Sequence, residues 1–537
     1  MPMTKQNPFR SLITGFLESV ERFPGRTALF VDGESLSYSH LYQSVCRIAS
    51  AIRQGEQTAF PLTAVWAHRS QTAYAAILGS LAAGKGYVPL NPKFPLDRTC
   101  RMLTLSGCPV LIVGKECLPQ LAGLLNAVDR PLTVILPDVS ALKSLSLEHL
   151  RHQFIFADQV PSGNAFFRED QSTSASPAYL LFTSGSTGVP KGVPISQGNV
   201  RSYVDYICQR YQVNEHDRFS QQFDLTFDLS AHDMFVCWER GAALYCVPEK
   251  SVMAPAKFIR DHQLTMWFSV PSVAGLLAKM RLLSPGCFPS LRYSLFCGEP
   301  LPAAYAQSWQ EAAPNSIVEN LYGPTEATIA IAHYRWDSKR SSGECVNGIV
   351  PIGRIFEGQQ FRVTDSQGEK APIGESGELC LSGSQVTNSY WNNPAKTQMQ
   401  FVRLPGASEQ VWYRTGDLVK QDETGNLCYL GRIDHQIKIR GYRVELQEIE
   451  AVLRRVCGTE QVVSVPWPFA NGSAEGVVAF VSGVKTLDQE RVLASCGDVL
   501  PDYMVPKKLY LIDELPLNPN QKIDRGKLAN LLKGVYA

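Results

Sequence analysis

The sequence has almost no net charge and no long apolar run. Its 51 basic residues balance 50 acidic ones to a net charge of +1, so charge gives no reason to expect nucleic acid or an anionic membrane as a partner. No segment approaches the roughly 18 apolar residues of a membrane-spanning helix, and the first residues lack the apolar core of a signal peptide. We therefore expect a cytoplasmic protein without membrane insertion.

Cysteines occur in no paired or metal-binding pattern. Fourteen of them are scattered from Cys46 to Cys496, and no two form a C-x-x-C pair. This spacing is typical of reduced, mostly buried thiols and argues against a disulfide framework or a zinc site. With 537 residues, 45% apolar and 19% charged, the chain is expected to fold into two or three domains.

Apolar strands alternate with helical segments over much of the chain, which predicts a doubly wound α/β region. Near the start, Asp32 and Gly33 predict the turn of a hairpin, and Ser39 is predicted to cap the helix that follows. From about residue 349 to 429, short strands and Gly/Asp turns predict a small β-barrel or sheet.

The last hundred or so residues are predicted to form a separate domain. Residues 445–456 form an amphipathic pattern with apolar positions on one helix face, followed by strand candidates and further helices. This is a normal size and composition for a small α+β domain. We therefore predict an N-terminal domain over 1–432 and a C-terminal domain over 433–537.

The most unusual composition lies in a loop that follows an apolar strand ending at Phe182. Glycines let backbone N–H groups approach an anion, hydroxyls donate hydrogen bonds, and Lys191 adds a positive charge. A flexible surface linker is the alternative on composition alone. A Walker A motif does not fit, because Gly192 follows the lysine. The residues that favour an oligophosphate site are Thr183, Ser184, Gly185, Ser186, Thr187, Gly188 and Lys191.

The stretch from Phe182 to Gly188, with Pro190-Lys191-Gly192, resembles the phosphate loop of the adenylate-forming superfamily. That superfamily includes acyl-CoA synthetases, luciferases and amino-acid adenylation enzymes. The resemblance implies a large N-terminal core that binds ATP and a small, mobile C-terminal lid. It also implies ATP and Mg²⁺ as cofactors and a catalytic position for Thr183.

A second informative stretch runs from Asn320 to Thr328. A carboxylate displayed after a Gly-Pro turn can ligate Mg²⁺, or it can simply favour a helix N-terminus, and composition leaves both open. The stretch resembles the Y-G-P-T-E motif of the same superfamily. The resemblance implies a nucleotide site in which Tyr322 stacks near adenine, Thr325 reaches phosphate and Glu326 is a catalytic residue that holds Mg²⁺. The residues assigned to this site are Asn320, Tyr322, Gly323, Thr325 and Glu326.

Two later stretches extend the resemblance. Residues 413–417 resemble the Y-R/K-T-G-D motif, which implies that Asp417 accepts hydrogen bonds from ribose, although a β-turn aspartate is the alternative. Residues 431–445 resemble the hinge motif. There the resemblance implies that Arg432 contacts ribose or phosphate, that Asp434 is the hinge, and that Gly441 lies along a pantetheine tunnel.

A lysine near the C-terminus is assigned by resemblance alone. Lys522 stands on a Pro/Asn turn, where a solvated surface lysine is the usual interpretation. The stretch resembles the terminal P-x-x-x-N-G-K motif, although Gln521 replaces the usual glycine. The resemblance implies that Lys522 is catalytic and stabilises charge at the α-phosphate and carboxylate.

The substrate pocket is read from the stretch FDLSAHDMF. Its Asp228 could cap a helix, but the stretch resembles the amino-acid-activating branch, in which this aspartate pairs with the substrate ammonium. The pocket lining that the resemblance implies is mostly apolar, and only His232 in it could contact a polar group of the substrate. A substrate with a small, uncharged side chain is therefore expected. The predicted amino-acid-binding residues are Asp228, Leu229, His232, Phe268, Leu295, Cys297, Leu321, Ile329 and Ala330.

The pocket and its surroundings resemble most the D-alanine–carrier-protein ligases and the glycine–carrier-protein ligases of lipid A glycylation. We expect a monomeric ligase that forms an aminoacyl-AMP, with glycine favoured because Phe268 and Leu321 are bulky. The aminoacyl group is expected to pass to the phosphopantetheine of a carrier protein in trans, since no carrier domain follows Lys522 before Ala537. The implied role is lipid A modification and resistance to antimicrobial peptides.

Three other interpretations stay open. A D-alanine or L-proline ligase would keep most of the same pocket. An acyl-CoA synthetase would keep the nucleotide motifs but would not need Asp228. A non-catalytic nucleotide-binding protein would tolerate loss of Lys522 or Glu326, and both are present.

Overall fold

The computed structural model describes most of the residues of the chain. They are residues 9–56, 59–140, 151–160, 172–185, 189–407, 410–434, 436–470, 473–517 and 523–535.

The chain opens with two helices and a hairpin: α1 (Leu12–Arg22), β1 (Thr27–Val31), β2 (Glu34–Ser37) and α2 (Tyr38–Gly55). The predicted hairpin is confirmed, because β1 and β2 pair antiparallel around Asp32 and Gly33, both at positive φ. The prediction that Ser39 caps the next helix is wrong. That helix begins directly after the strand, and the Ser37 side chain accepts the hydrogen bond from the backbone N–H of His40.

The next region builds a seven-stranded sheet in the order β7-β6-β5-β3-β4-β8-β9. All its neighbours are parallel except β8 and β9, which form an antiparallel pair. Parallel strands with intervening helices confirm the predicted α/β alternation. The elements are β3 (Leu62–Trp66), α3 (Gln71–Ala82), β4 (Gly86–Leu90), α4 (Leu96–Ser106), β5 (Val110–Val113), α5 (Leu118–Ala127), β6 (Thr133–Leu136), β7 (Gln153–Phe156), β8 (Pro177–Thr183), β9 (Lys191–Ser196) and α6 (Gln197–Arg210).

A second large sheet has nine strands in the order β16-β15-β14-β13-β12-β10-β11-β1-β2. Its centre is parallel, so the carboxyl ends of β12, β13 and β14 share one edge, where open α/β sheets commonly bind ligands. The elements are β10 (Arg218–Gln221), α7 (Leu229–Ala231), α8 (Cys237–Glu239), β11 (Ala243–Cys246), α9 (Ala256–Asp261), β12 (Met266–Ser269), α10 (Pro271–Lys279), β13 (Tyr293–Phe296), α11 (Ala303–Ala312), β14 (Ile317–Tyr322), β15 (Ala332–Arg335), α12 (Ser341–Glu344) and β16 (Arg354–Ile355).

The stretch predicted as a small barrel or sheet forms a five-stranded antiparallel sheet. Its order is β17-β18-β20-β19, and β21 also pairs with β20. The elements are β17 (Gln360–Thr364), β18 (Ser376–Ser382), α13 (Pro394–Gln400), β19 (Phe401–Val402), β20 (Trp412–Gln421) and β21 (Leu427–Arg432).

The C-terminal part is a smaller α+β unit with two small sheets, β23-β22-β26-β25 and β24-β27-β28. The apolar face of α14 is buried in a hydrophobic cluster made only of residues from this unit. A large N-terminal domain and a smaller C-terminal domain are therefore confirmed, while the exact boundary stays a prediction. The elements are β22 (Gln436–Ile439), β23 (Tyr442–Glu445), α14 (Leu446–Cys457), β24 (Val462–Pro466), β25 (Phe469–Ala470), β26 (Ser473–Ala474), β27 (Val477–Val481), α15 (Gln489–Gly497), β28 (Leu509–Leu511) and α16 (Arg525–Val535).

Within the described ranges, no helix combines the length and the apolar character needed to cross a bilayer.

Candidate active site

A cleft of about 1260 Å³, measured out to its open mouth, lies between the strand ends of the N-terminal domain and the β22–β23 hairpin of the C-terminal domain. Residues far apart in the sequence meet there, because β8, β14, β20 and the segment that follows β13 all line it. The predicted site residues that line it are Thr183, Ser184, Asp228, Leu229, Cys297, Asn320, Leu321, Tyr322, Gly323, Thr325, Asp417, Arg432 and Gly441.

The other predicted site residues lie around this cleft or outside the described residues. The described site residues that do not line the cleft are buried, except for Asp434, which is exposed. They are Gly185, Lys191, His232, Phe268, Leu295, Glu326, Ile329, Ala330 and Asp434. The predictions for Ser186, Thr187, Gly188 and Lys522 fall outside the described residues and stay predictions.

The described ends of the phosphate loop are held by strand pairing. Thr183, at the end of β8, pairs with Lys191, at the start of β9, in an antiparallel register. The Thr183 Oγ1 atom is buried without a hydrogen-bond partner, whereas Ser184 Oγ donates to the backbone carbonyl of Arg443 at 2.7 Å. An orphaned buried hydroxyl is unfavourable, so Thr183 offers a ready contact for an oxygen-rich ligand.

Glu326 is fully buried and surrounded by positive charge. Its Oε1 atom lies 3.1 Å from Lys191 Nζ, and Tyr390 OH donates to the same oxygen at 2.8 Å. Its Oε2 atom lies 3.1 Å from Arg443 Nη1, a residue of the C-terminal domain. Both carboxylate oxygens therefore already have strong partners.

The surroundings of Glu326 and Lys191 determine the pKa values of both side chains. Burial alone would raise the pKa of Glu326, but Lys191, Arg443 and the Tyr390 hydroxyl outweigh it and hold that pKa well below its usual value. Burial and the nearby Arg443 lower the pKa of Lys191 to about 8, although Glu326 opposes the shift. Glu326 is thus ionised at neutral pH.

The predicted Mg²⁺ site at Glu326 does not fit this arrangement. Mg²⁺ needs oxygen ligands at about 2.0–2.1 Å, whereas the Glu326 oxygens face two cations and a hydroxyl. Within the described parts of the chain, no group of three or more His, Cys, Asp or Glu residues is placed to hold a metal ion. The metal role of Glu326 stays a prediction.

Asp417 belongs to a polar network in the cleft. Tyr322 OH donates to its Oδ2 at 2.5 Å, and Arg432 Nη1 donates to its Oδ1 at 2.5 Å. Arg432 also donates to both oxygens of Asp434, at 2.6 and 2.7 Å. The structure therefore joins the predicted ribose, phosphate and hinge residues in one chain of hydrogen bonds.

No ion pair among the described residues includes Asp228, in contrast to Glu326 and Asp417. Asp228 precedes α7, but its side chain caps no N–H of that helix. Instead its Oδ2 accepts a hydrogen bond from Ile329 N at 3.2 Å. Burial raises the pKa of Asp228 to about 6 against the lowering effect of that bond. A buried, unpaired carboxyl group of this kind suits a cationic ligand.

The backbone that supplies this N–H is strained. Thr328 and Ile329 have φ values of 58° and 72°, in the left-handed region that β-branched residues avoid. Strain of this kind persists only where the surrounding structure enforces it, and it is concentrated at functional sites. The strained turn therefore supports Asp228 as a residue of a binding site.

Two titratable residues in the wall of the predicted amino-acid pocket, His232 and Cys297, are neutral. Burial lowers the pKa of His232 to about 3, so its ring is neutral, and its Nδ1 lies 2.7 Å from Tyr203 OH. The Phe268 ring packs edge-on against it at 4.6 Å. Burial also raises the pKa of Cys297 to about 12, which keeps the thiol neutral. A small or apolar side chain is the best match for this wall.

Three residues at the cleft were missed as site residues from the sequence. Arg443 and Tyr390 contact Glu326, and Lys438 lines the cleft. Arg443 and Lys438 sit in the stretch that resembles the hinge motif, where basic side chains alternate with apolar ones over residues 436–445. That pattern was the available signal, since one face of such a strand pair is expected to be buried.

Comparisons with known proteins agree with this geometry. The chain is 32% identical to an L-proline–[L-prolyl-carrier protein] ligase of Pseudomonas fluorescens, over 96% of this chain and 98% of that protein. It is 31% identical to a D-alanine–D-alanyl carrier protein ligase of Bacillus velezensis, over 92% of this chain and 94% of that protein. The structure of the Vibrio cholerae adenylation domain AlmE in complex with glycyl-adenosine-5′-phosphate is similar, with a TM-score of 0.88, 35% identity and 99% coverage of both chains.

Family comparison covers both domains. Residues 16–391 match the AMP-binding enzyme family, and residues 448–522 match the AMP-binding enzyme C-terminal domain. Since the first match alone covers more than half of the sequence, this chain belongs to the AMP-binding enzyme family, within the adenylate-forming superfamily that its motifs resemble.

Proposed function

We propose that the chain activates a small amino acid, with glycine preferred, as an aminoacyl-AMP and then loads it onto the phosphopantetheine thiol of a separate carrier protein. The observation that carries this proposal is Asp228. It is a buried carboxylate without a cationic partner, set at the apolar end of a cleft whose other residues match nucleotide-binding motifs. The ammonium group of an amino acid would supply the missing charge.

In the proposed first step, an oxygen of the amino-acid carboxylate attacks the α-phosphorus of ATP. The bond from that phosphorus to the bridging oxygen breaks, and pyrophosphate leaves. Asp228 would hold the ammonium, the unpartnered Thr183 hydroxyl would contact phosphate, and Asp417 would accept hydrogen bonds from ribose. Such positioning makes the attack effectively intramolecular. Lys522, by the motif it resembles, would stabilise the developing charge.

In the proposed second step, the carrier thiol attacks the aminoacyl carbonyl, a thioester forms, and AMP leaves. Gly441, with φ +84°, lines the cleft at the tip of the C-terminal hairpin and leaves room that a side chain would take. Asp434 is proposed as the hinge about which the C-terminal domain turns between the two steps.

The preference for glycine rests on the pocket wall. Phe268 packs on the neutral His232, and both are buried with Leu321. These groups leave an apolar, crowded space beside Asp228. The glycyl adenylate bound in the similar Vibrio cholerae structure supports the same preference. A hydrophobic pocket distinguishes one methyl group by about 1–3 kcal/mol. Lipid A modification is the proposed use of the product, on the sequence resemblance.

A second candidate is a ligase for D-alanine or L-proline, because relatives at 31–32% identity carry those names. The two candidates share the reaction and differ only in the side chain accepted. An acyl-CoA synthetase is a weaker alternative, since a plain carboxylic acid would leave Asp228 without a counter-ion.

Amino-acid-dependent ATP–pyrophosphate exchange tests the proposal. We expect exchange with glycine to exceed that with D-alanine, L-alanine, L-serine and L-proline. The Lys522→Ala variant should lose exchange while keeping transfer from a supplied aminoacyl-AMP. Highest activity with L-proline or D-alanine would favour the second candidate. Absence of exchange with every amino acid, or unchanged exchange in the lysine variant, would overturn the proposed chemistry.

A further inference from the structure

A tyrosine that no motif assigns to the site contacts one residue of the predicted amino-acid pocket. Tyr203 lies on α6 and is fully buried. Its hydroxyl oxygen lies 2.7 Å from Nδ1 of His232, and the two rings meet edge-on with their centroids 5.9 Å apart. His232 follows Asp228 by four residues along a continuous helical backbone, through α7 and into a π-helical turn. Residues four apart on a helix share a face, so His232 continues the helix face that carries Asp228.

The hydrogen-bonding capacity of the two side chains determines which of them donates. Burial raises the pKa of Tyr203 well above its usual value and lowers the pKa of His232 to about 3, so both side chains are neutral. A buried phenol that does not donate its proton is unfavourable. Within the described parts of the chain, the structure gives the Tyr203 hydroxyl one acceptor, the Nδ1 atom of His232. Tyr203 is therefore the donor, and the imidazole carries its own proton on Nε2.

The imidazole in turn packs against the residue that crowds the pocket. Its centroid lies 4.6 Å from that of Phe268 and 6.3 Å from that of Phe219. The terminal torsion of a histidine side chain has a broad, two-fold preference, and a ring turned over by half a rotation fills nearly the same space. Aromatic packing alone therefore does not select one orientation of the His232 ring, whereas the hydrogen bond from Tyr203 does.

We propose that Tyr203 is a positioning residue for substrate size: by donating to Nδ1 it fixes the His232 ring and, through that ring, holds Phe268 in the pocket wall. A substrate side chain larger than a hydrogen atom then meets a wall that does not move aside. This inference rests on the proposed function and deepens it, because it assigns part of the preference for glycine to a residue behind the wall.

The variant Tyr203→Phe removes the hydroxyl and keeps the ring. Specificity is measured as kcat/KM for glycine and for each enantiomer of alanine in ATP–pyrophosphate exchange. We expect the alanine-to-glycine ratio to rise about threefold to tenfold, which is part of the 10–200-fold discrimination that a pocket achieves for one methylene. The KM for ATP should stay unchanged. An unaltered ratio in Tyr203→Phe would overturn the inference.

Tyr206→Phe is the matched control, because it removes a hydroxyl from the same helix three residues further on. The Tyr206 ring stacks on Phe356 at 4.3 Å and makes no contact with His232 that resembles the 2.7 Å hydrogen bond of Tyr203. We expect the ratio in Tyr206→Phe to equal that of the unmodified chain. A rise of the same size in both variants would mean that loosening α6, and not the hydrogen bond, alters specificity.

A double-mutant cycle tests whether Tyr203 acts through the ring of Phe268. If it does, adding Tyr203→Phe to Phe268→Ala should leave the alanine-to-glycine ratio of Phe268→Ala unchanged, because the ring to be held is gone. Two residues that act independently change the ratio by the same factor in either background. Equal effects of Tyr203→Phe in both backgrounds would therefore contradict the proposed route.

Nuclear magnetic resonance gives a readout that does not depend on activity. The chain has nine histidines, and long-range proton–nitrogen spectra of histidine labelled with ¹⁵N distinguish the two neutral tautomers. The His232 signal is assigned from its nuclear Overhauser contacts with the Tyr203 ring. We expect the tautomer with the proton on Nε2 throughout pH 5–8, and loss of this single fixed state in Tyr203→Phe. A proton on Nδ1 in the unmodified chain would overturn the inference.

These outcomes separate this inference from the proposed function. If no amino acid supports exchange, the proposed function fails, and the assignment of substrate size to Tyr203 fails with it. If glycine is activated but the ratio does not depend on Tyr203, only this inference fails. Thermal unfolding monitored by circular dichroism checks that Tyr203→Phe is folded, and if it is not, the tautomer in the unmodified chain decides.

Discussion

Replacement of Asp228 by asparagine is expected to stabilise the folded chain at pH 8 while removing amino-acid activation. The carboxyl group is buried with one backbone hydrogen bond and no ion pair, and burial raises its pKa from 3.8 to about 6. An asparagine oxygen can still accept that hydrogen bond from Ile329, but the side chain carries no charge. The substitution therefore removes the unfavourable ionisation and, with it, the partner for a substrate ammonium.

The magnitude and sign follow from linkage. A pKa of about 6 in the folded chain, against 3.8 in the unfolded chain, means that ionisation destabilises the folded chain by about 3 kcal/mol at pH 8. Because the folded pKa is the higher one, this penalty is absent below about pH 4, grows between pH 4 and 6, and is complete above. The advantage of Asp228→Asn should therefore be about 3 kcal/mol at pH 8 and roughly half that at pH 5.

Urea denaturation at pH 8 and pH 5 measures the two free energies of unfolding, and pyrophosphate exchange measures activity. Asp129→Asn, a change at an exposed surface position, serves as the control and should alter neither. An Asp228→Asn variant that is no more stable at pH 8, or whose advantage is the same at both pH values, would refute the account of the buried charge. Retained exchange would refute its role in binding.

The same carboxyl group predicts the pH dependence of substrate binding in the unmodified chain. Only the ionised form pairs with an ammonium group, so the apparent affinity for the amino acid should fall about tenfold per pH unit below about pH 6. The half-saturating amino-acid concentration in the exchange assay, measured between pH 5 and 8, shows the profile. A flat profile would mean that another group holds the substrate.

Three further predictions concern the cleft and its lid. A Cβ atom at Gly441 would lie 2.5 Å from Val270 Cγ1, so Gly441→Val should displace the hairpin. Transfer to the carrier should become at least about tenfold slower, while ATP–pyrophosphate exchange should change little. Glu448→Gln breaks the buried 2.7 Å ion pair that Arg98 makes between the two domains, and it should loosen the hairpin in hydrogen exchange; unchanged protection would contradict this. Phe268→Ala should raise exchange with alanine relative to glycine about 10–100-fold, and an unaltered ratio would exclude Phe268 from the pocket wall.

Local sequence patterns predicted much of the fold. The Asp32-Gly33 hairpin and the helix expected over 445–456, observed as Leu446–Cys457, both follow from short-range rules of turn chemistry and helix periodicity. The cap was misplaced because Ser37 and Ser39 are equally good capping residues, and the end of β2 decides between them. A strand end depends on pairing with a neighbouring strand, which a local pattern does not contain.

Many residues of the candidate site could be predicted from the sequence, but the contacts between them could not. Thr183, Tyr322, Asp417 and Arg432 are distant in sequence, yet motif by motif each was assigned to one nucleotide site, and the structure gathers them in one cleft. The contact of Arg443 with Glu326 could not be foreseen, because it depends on how the two domains are oriented. Propensity could not predict the left-handed turn at Ile329 either, since β-branched residues disfavour it and only tertiary packing holds it there.

Three predicted site carboxylates in or beside the cleft differ in the partners that they have among the described residues. Glu326 has Lys191 and Arg443, and Asp417 has Arg432, whereas no ion pair among the described residues includes Asp228, which accepts a hydrogen bond from Ile329 N. A buried carboxylate without a counter-charge is the least favourable of these states, so the strongest remaining attraction for a cation lies at Asp228. In this arrangement of the domains, the charge of Glu326, the predicted metal ligand, is therefore already balanced by cationic side chains. The charge of Asp228, the predicted partner of a substrate ammonium, is not balanced by an ion pair among the described residues. That asymmetry agrees with the proposal that Asp228 receives the ammonium group of a substrate.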